Sequence, residues 1–180
     1  MRPKRTKTIK MVFKREELLY DIKNNAYVIG DVMPKDNPHS SHQVQDICED
    51  GNIDRVTRVL DIAHAECTEA LYPFSKEDVE QETEMDDTPT YPSPPAESTG
   101  GNTDYTISLL VPDDYSKTTV NLLVRYIHEY MVYRVLYDWL DITYPAAAGA
   151  WRAKADEAKE GMQEAVNFRT GRARLTQSPF

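Results

Sequence analysis

The sequence predicts a mainly α fold: a helical bundle with a long central helix, one or two short β-strands in an inserted loop, and extended basic termini. Apolar residues recur at three- and four-residue steps through most of the chain, which is the helical period. From Ser116 to Ile142 the apolar residues cover more than one face, so that helix needs protein on several sides. Only residues 105–111 alternate with a period of two.

The elements follow in order. Residues 15–33 place Leu18, Leu19, Ile22, Ala26, Ile29 and Met33 at helical spacing until Pro34 stops the pattern. Ser40 or Ser41 is the expected cap of a short second helix that carries Val44, Ile47 and Cys48 and ends at Gly51. Asn52 is the expected cap of a third helix, whose stripe of Ile53, Val56, Val59, Leu60, Ala63, Cys67, Ala70 and Leu71 closes at Pro73. Residues 75–103 hold an acidic run, four prolines and Gly100-Gly101, a pattern that reads as a loop or linker. Tyr105, Ile107, Leu109 and Val111 then alternate with Thr106, Ser108 and Leu110, the one strand signal. A lone strand leaves backbone groups unpaired, so the expected partner is a strand from the preceding loop or from a neighbouring chain. On that expectation Leu109→Pro blocks assembly and leaves the helical body folded. Ser116 caps the long helix, and Pro145 opens a last, alanine-rich helix running to Asn167. The expected segments are a basic arm over 1–14, a helical segment over 15–74, the acidic and Pro-rich stretch 75–103, a strand plus long helical hairpin over 104–168, and a basic tail over 169–180, all within one structural domain.

Composition narrows the class of function. At 180 residues with 40% apolar and 28% charged side chains, and a mean hydropathy of −0.62, the chain suits a soluble folded protein. No apolar run approaches the length of a membrane span, and no charged-then-apolar leader opens the chain, so an intracellular protein is expected. Cys48 and Cys67 are too few for a disulfide framework and form no Cys-x-x-Cys pair.

The net charge of −9 is unevenly spread: residues 1–15 hold seven Lys or Arg and no acid, and residues 169–180 hold three Arg and no acid. Seven acids lie between Glu77 and Asp87 with no base among them. Basic ends on an acidic body suit contact with an anionic surface, whether nucleic acid or acidic protein. They equally suit solvated tails.

Chemistry-bearing motifs are scarce. Gly100-Gly101 lacks the Gly-Lys-Ser/Thr of a phosphate loop, and His128-Glu129 has Val132 where a zinc helix needs its second histidine. His39 and His42, with Asp36 and Asp46 in reach, form a weak metal pair. His64 and Cys67 share a helix face, where packing is the commoner role and a nucleophile–base pair the rarer one. The expectation is a non-enzymatic protein with no cofactor and no metal.

The aromatic pattern says more. Tyr126, Tyr130, Tyr133 and Tyr137 crowd the long helix, and aromatic rings with polar tips suit a subunit interface as well as a monomer core. With Tyr105, Ile107 and Leu109 of the strand they are the candidate interface residues. Arg169, Arg172, Arg174, Leu175 and Phe180 in the tail are the candidate partner-docking residues, because arginine forks and isolated apolar side chains suit docking in extended form. Deleting 169–180 is then expected to spare the fold and abolish assembly.

Two long stretches carry a resemblance: Val124-Arg-Tyr-Ile-His-Glu-Tyr-Met-Val-Tyr-Arg-Val-Leu-Tyr-Asp-Trp-Leu-Asp-Ile-Thr and Asn167-Phe-Arg-Thr-Gly-Arg-Ala-Arg. Arg15-Glu-Glu-Leu-Leu-Tyr-Asp-Ile and Gly51-Asn-Ile-Asp-Arg-Val-Thr-Arg-Val-Leu add to it. The chain resembles head–tail connector (neck adaptor) proteins of tailed bacteriophages and prophages of Bacteroides-type hosts. The resemblance implies a virion protein forming a homo-oligomeric ring of about twelve copies beneath the portal. Its partners would be the portal protein and other neck or tail proteins, with DNA passing through the lumen without specific binding and no membrane involved. Assembly would occur in the host cytoplasm. The alternative from the charge pattern is a nucleic-acid-binding regulatory protein using its basic termini.

Overall fold

A computed structural model describes residues 6–34, 38–76 and 104–167. The described elements are β1 (Thr6–Phe13), α1 (Arg15–Val32), α2 (Pro38–Gln45), a short 3-10 turn (Asp46–Cys48), α3 (Ile53–Ala70), β2 (Tyr105–Pro112), α4 (Lys117–Thr143) and α5 (Pro145–Asn167). The architecture is mainly helical with one small two-stranded antiparallel sheet.

α4 is the centre. Leu123, Ile127 and Met131 are buried along one side of it, and Val132, Leu136 and Leu140 are buried about half a turn around. Every such side chain must be covered, and α1, α2, α3 and α5 all pack on this helix. Its start is fixed by Ser116, whose Oγ accepts from the Thr118 N–H at 3.2 Å. α5 returns antiparallel after Tyr144 and approaches closely because Ala148, Ala155, Ala158 and Ala165 form its buried stripe.

α1 buries Leu18, Ile22 and Ala26, and α3 buries Val56, Val59, Leu60, Ala63 and Cys67, as their spacing predicts. Two expected caps differ. Asn52 accepts no side-chain capping bond; its Nδ2 donates instead to Asp46 O at 2.8 Å. α2 begins at Pro38, ahead of Ser40 and Ser41, since proline at a first helical turn loses no hydrogen bond. α2 also crosses α1 closely at Gly30, where an added Cβ would stand 2.9 Å from Ser41 O and 2.7 Å from Gln45 Cγ.

The sheet corrects the sequence reading. The strand that pairs with β2 is β1, drawn from the expected basic arm. The register runs from Thr6↔Pro112 to Phe13↔Tyr105. Ile9, Met11 and Phe13 share a face with Leu109, Ile107 and Tyr105, and this face joins the same buried cluster as the helices. Two bases of the arm are committed to the fold: the Lys7 Nζ donates to Asp113 O (2.9 Å) and Tyr115 O (3.1 Å), and the Arg15 guanidinium, buried, donates to Thr57 Oγ1 at 2.6 Å. The tie matters because a buried guanidinium without a partner is costly.

Leu109 is 1% exposed, so its role is in the chain's own core. Leu109→Ala should destabilise the isolated chain by about 2–4 kcal/mol in urea unfolding, where a purely interfacial residue would leave the midpoint unmoved. Gly30→Ala should also destabilise, by about 1 kcal/mol or more, because pushing α2 off its backbone contact outweighs the gain of up to ~1 kcal/mol in helix propensity. An unchanged or raised unfolding midpoint would show that α2 gives way freely.

Candidate functional site: the open edge of the sheet

Of the expected interface residues, Tyr105, Ile107, Leu109 and Tyr130 are buried within the chain. The Tyr105 hydroxyl donates to Asp61 Oδ1 at 2.9 Å, and the Tyr130 hydroxyl donates to Glu66 Oε2 at 2.5 Å. Burial, then that bond to Glu66, holds the Tyr130 phenol well above its usual pKa. Arg134 Nε stands 3.5 Å from the same Glu66 oxygen, tying α4 to α3. Tyr126, Tyr133 and Tyr137 are half-buried between α4 and α5. The Tyr126 ring lies so close to Gly161 that a Cβ there would approach it to 2.7 Å. Tyr133 packs on Trp151 with ring centroids 5.5 Å apart, and the Arg134 and Arg152 guanidinium carbons stand 5.4 and 5.8 Å from the Tyr137 ring centroid. Burial is again the first cause of a raised Tyr133 pKa. The candidate docking residues Arg169, Arg172, Arg174, Leu175 and Phe180 lie outside the described residues, as does the acidic stretch from Glu77.

The residues weighed for catalysis are likewise structural. His64 Nε2 stands 3.0 Å from Thr106 O, a carbonyl that only accepts, so that nitrogen carries its proton. Cys67 is fully buried; burial and then the neighbouring Glu66 charge push its thiol far above the range where a thiolate forms. Cys48, partly buried, is raised to about 11 by burial, and its thiol faces Leu19 O at 3.8 Å. Neither arrangement provides a base poised on a nucleophile. A cleft of about 1030 Å³ beside His64 is lined by Glu66, Glu69, Tyr72, Lys76, Lys159 and Gln163, a mixed set of acids, lysines and neutral side chains. Among the described residues no three His, Cys, Asp or Glu side chains converge as metal ligands; Asp36, weighed with His39 and His42, lies outside the described residues. No described helix is long and apolar enough to cross a membrane.

What the structure leaves open is an edge. On the far side of β2 the Leu110 N–H donates to Phe74 O at 2.8 Å, and Thr106 O meets His64. The even-numbered positions of β2 therefore point their backbone groups away from β1, and the odd-numbered ones pair with it. By the observed register the odd positions of β1 face β2, so Thr8, Lys10 and Val12 direct their N–H and C=O groups to the other side. No other described element runs along that side. The edge carries an exposed lysine, Lys10, and beside it Val12 and Leu110 are 50% and 55% exposed on the outer face.

No family model, curated protein or solved structure matches the chain.

A second unpartnered surface lies on α1, where Tyr20, Tyr27, Val28 and Val32 are exposed on the side away from Leu18, Ile22 and Ala26. Their spacing announces both faces of the helix, but the inner set alone explained the pattern. β1 had its own signal: Ile9, Met11 and Phe13 alternate with Thr8, Lys10 and Val12, a period of two that the surrounding lysines and arginines obscured.

The thiols provide a check on this reading. In the native chain Cys67 should react with a thiol reagent at pH 8 on the order of a hundred times more slowly than in urea-unfolded chain. Equal rates would mean that the α3 face opens and that the thiol is available for chemistry.

Proposed function

We propose that this protein is a structural virion subunit: a head–tail connector or adaptor that joins copies of itself into a ring beneath a portal, without enzymatic activity. The observation that carries this reading is the unpaired edge of β1 on a helical body whose polar side chains are bound up in structural ties. An open strand edge is a ready template for another chain, and the lysine at the middle of this one restricts it to a partner of opposite charge. The exposed apolar stripe of α1 offers a second contact, and a ring needs two different surfaces on each subunit. The charge pattern fits as well, since an acidic body around a lumen would let DNA slide rather than stick. The resemblance of the aromatic helix and its flanks to neck adaptors supports a position in the neck of a particle.

The test is composition of purified particles together with mass in solution. The chain should be present in virions at about twelve copies and should form a ring in the presence of portal protein. Absence from particles, with a strictly monomeric mass when mixed with portal, would overturn the proposal. Binding to short duplex DNA at low salt that falls about ten- to a thousandfold over a fourfold salt increase would instead favour the regulator.

A further inference from the structure

We propose that the free edge of β1 takes up residues 78–86 of a second copy as a third strand of the sheet. This identifies the subunit contact and rests on the oligomer proposed above, though not on its place in a virion.

The edge selects its occupant by shape and charge. Its unpaired backbone groups at Thr8, Lys10 and Val12 require an extended segment, which they can bond over several residues. Lys10, exposed at the middle of the edge, disfavours a second basic β1 and favours an acidic strand. Residues 78–86 have the matching pattern. Asp78, Glu80, Glu82, Glu84 and Asp86 alternate strictly with Val79, Gln81, Thr83 and Met85, so an extended conformation puts five acids on one face. Laid along β1, that face continues the outer side that bears Lys10, and Val79 and Met85 fall on the side of half-buried Ile9.

The segment comes from another copy because its own chain cannot reach. Phe74 O is bonded to Leu110 on the far side of β2, and the Lys76 N–H turns back to Pro73 O at 3.3 Å. From that flank the β1 edge position lies three strand spacings away, about 14 Å. The two residues from Lys76 to Asp78 span at most ~7 Å. A neighbour has no such restriction, because it brings its own Lys76 to the edge. Donor strand and acceptor edge are different surfaces, so the contact is head-to-tail and propagates around a ring.

Complementation between full-length variants tests this. Lys10→Pro removes an N–H that β2 does not use, so the edge is blocked and the fold kept; Lys10→Glu is a second edge variant that repels the acidic strand without touching the backbone. A triple variant, E80K with E82K and E84K, keeps the edge but spoils the donor. Light scattering should show wild-type chain assembling, and each variant alone associating at least about tenfold more weakly with unchanged helix content. An equimolar mixture of Lys10→Pro and the triple variant should form one-to-one dimers, since one supplies the strand and the other the edge; with Lys10→Glu in place of Lys10→Pro the triple variant's lysines also meet a glutamate edge, so association should pass beyond the dimer. The proposal is overturned if the wild-type chain stays monomeric at all concentrations, if the triple variant assembles like wild type, or if the mixture remains monomeric. A chain that passes this test but is absent from particles would refute the virion reading and leave the strand exchange standing.

Discussion

The fold turns on the circumference of α4. A helix with Leu123, Ile127 and Met131 on one side and Val132, Leu136 and Leu140 on the other must be covered nearly all round over Tyr130–Leu140, while Leu122, Arg125 and Glu129 face water nearer its start. Burying each such side chain is worth about 1.5–3 kcal/mol, against a net stability for ordinary domains of about 5–15 kcal/mol. Leaving one side bare would therefore cost a large part of the whole. α5 closes one side through its alanine stripe, α1 and α3 close others, and Trp139 reaches α2 to donate to Val44 O at 3.1 Å. The polar residues that interrupt α4 serve the same end. His128 meets Asp21 on α1 at 2.7 Å, Asp138 meets Arg55 on α3 at 2.7 Å, and Tyr130 with Arg134 meets Glu66. These are orienting ties rather than sources of large stability, since the first two are partly exposed.

The sheet extends this arrangement to a region the helices do not reach. One face of the β1–β2 pair joins the common core and the outer edge of β2 is held by Phe74 and His64, so one face and one edge are satisfied within the chain while the outer face meets solvent. The remaining boundary is the β1 edge. Adding a strand there would leave the core untouched, which separates folding of the subunit from its association. That separation suits a protein that must be stable before it meets its neighbours.

Much of this was legible in the residues, and the omissions have physical causes. Three of the four long helices, α1, α4 and α5, start and stop within a residue or two of the positions set by Pro34, Ser116 and Pro145, because apolar spacing and proline act locally. The strand over Tyr105 to Val111 was legible for the same reason. Its partner was not. Pairing Thr6 with Pro112 is a contact across more than a hundred residues, and no local signal reports it. The lysines of β1 also pointed to a solvated arm, whereas Lys7 uses its ammonium to hold two carbonyls and Arg15 is buried against Thr57. For the aromatic residues of α4, period and polarity were equally compatible with an inner or an outer face. Only the arrival of α5 and α3 decided that Tyr130 points inward. The open edge could not be read from the sequence at all, since openness is a property of what fails to lie alongside.

The same long-range pairing bears on synthesis. β1 leaves the ribosome about a hundred residues before β2, which at typical elongation rates is a wait on the order of ten seconds. During that interval β1 has two bare edges rather than one, and the apolar row of Ile9, Met11 and Phe13 has no core to enter. Lys7 and Lys10 then act as guards on a nascent strand before either meets its final surroundings. The sheet thus cannot form until well after α1 and α2 can pair, and only α4 and α5 follow it. A chain stalled before β2 would expose a sticky strand that the completed subunit shows on one side only.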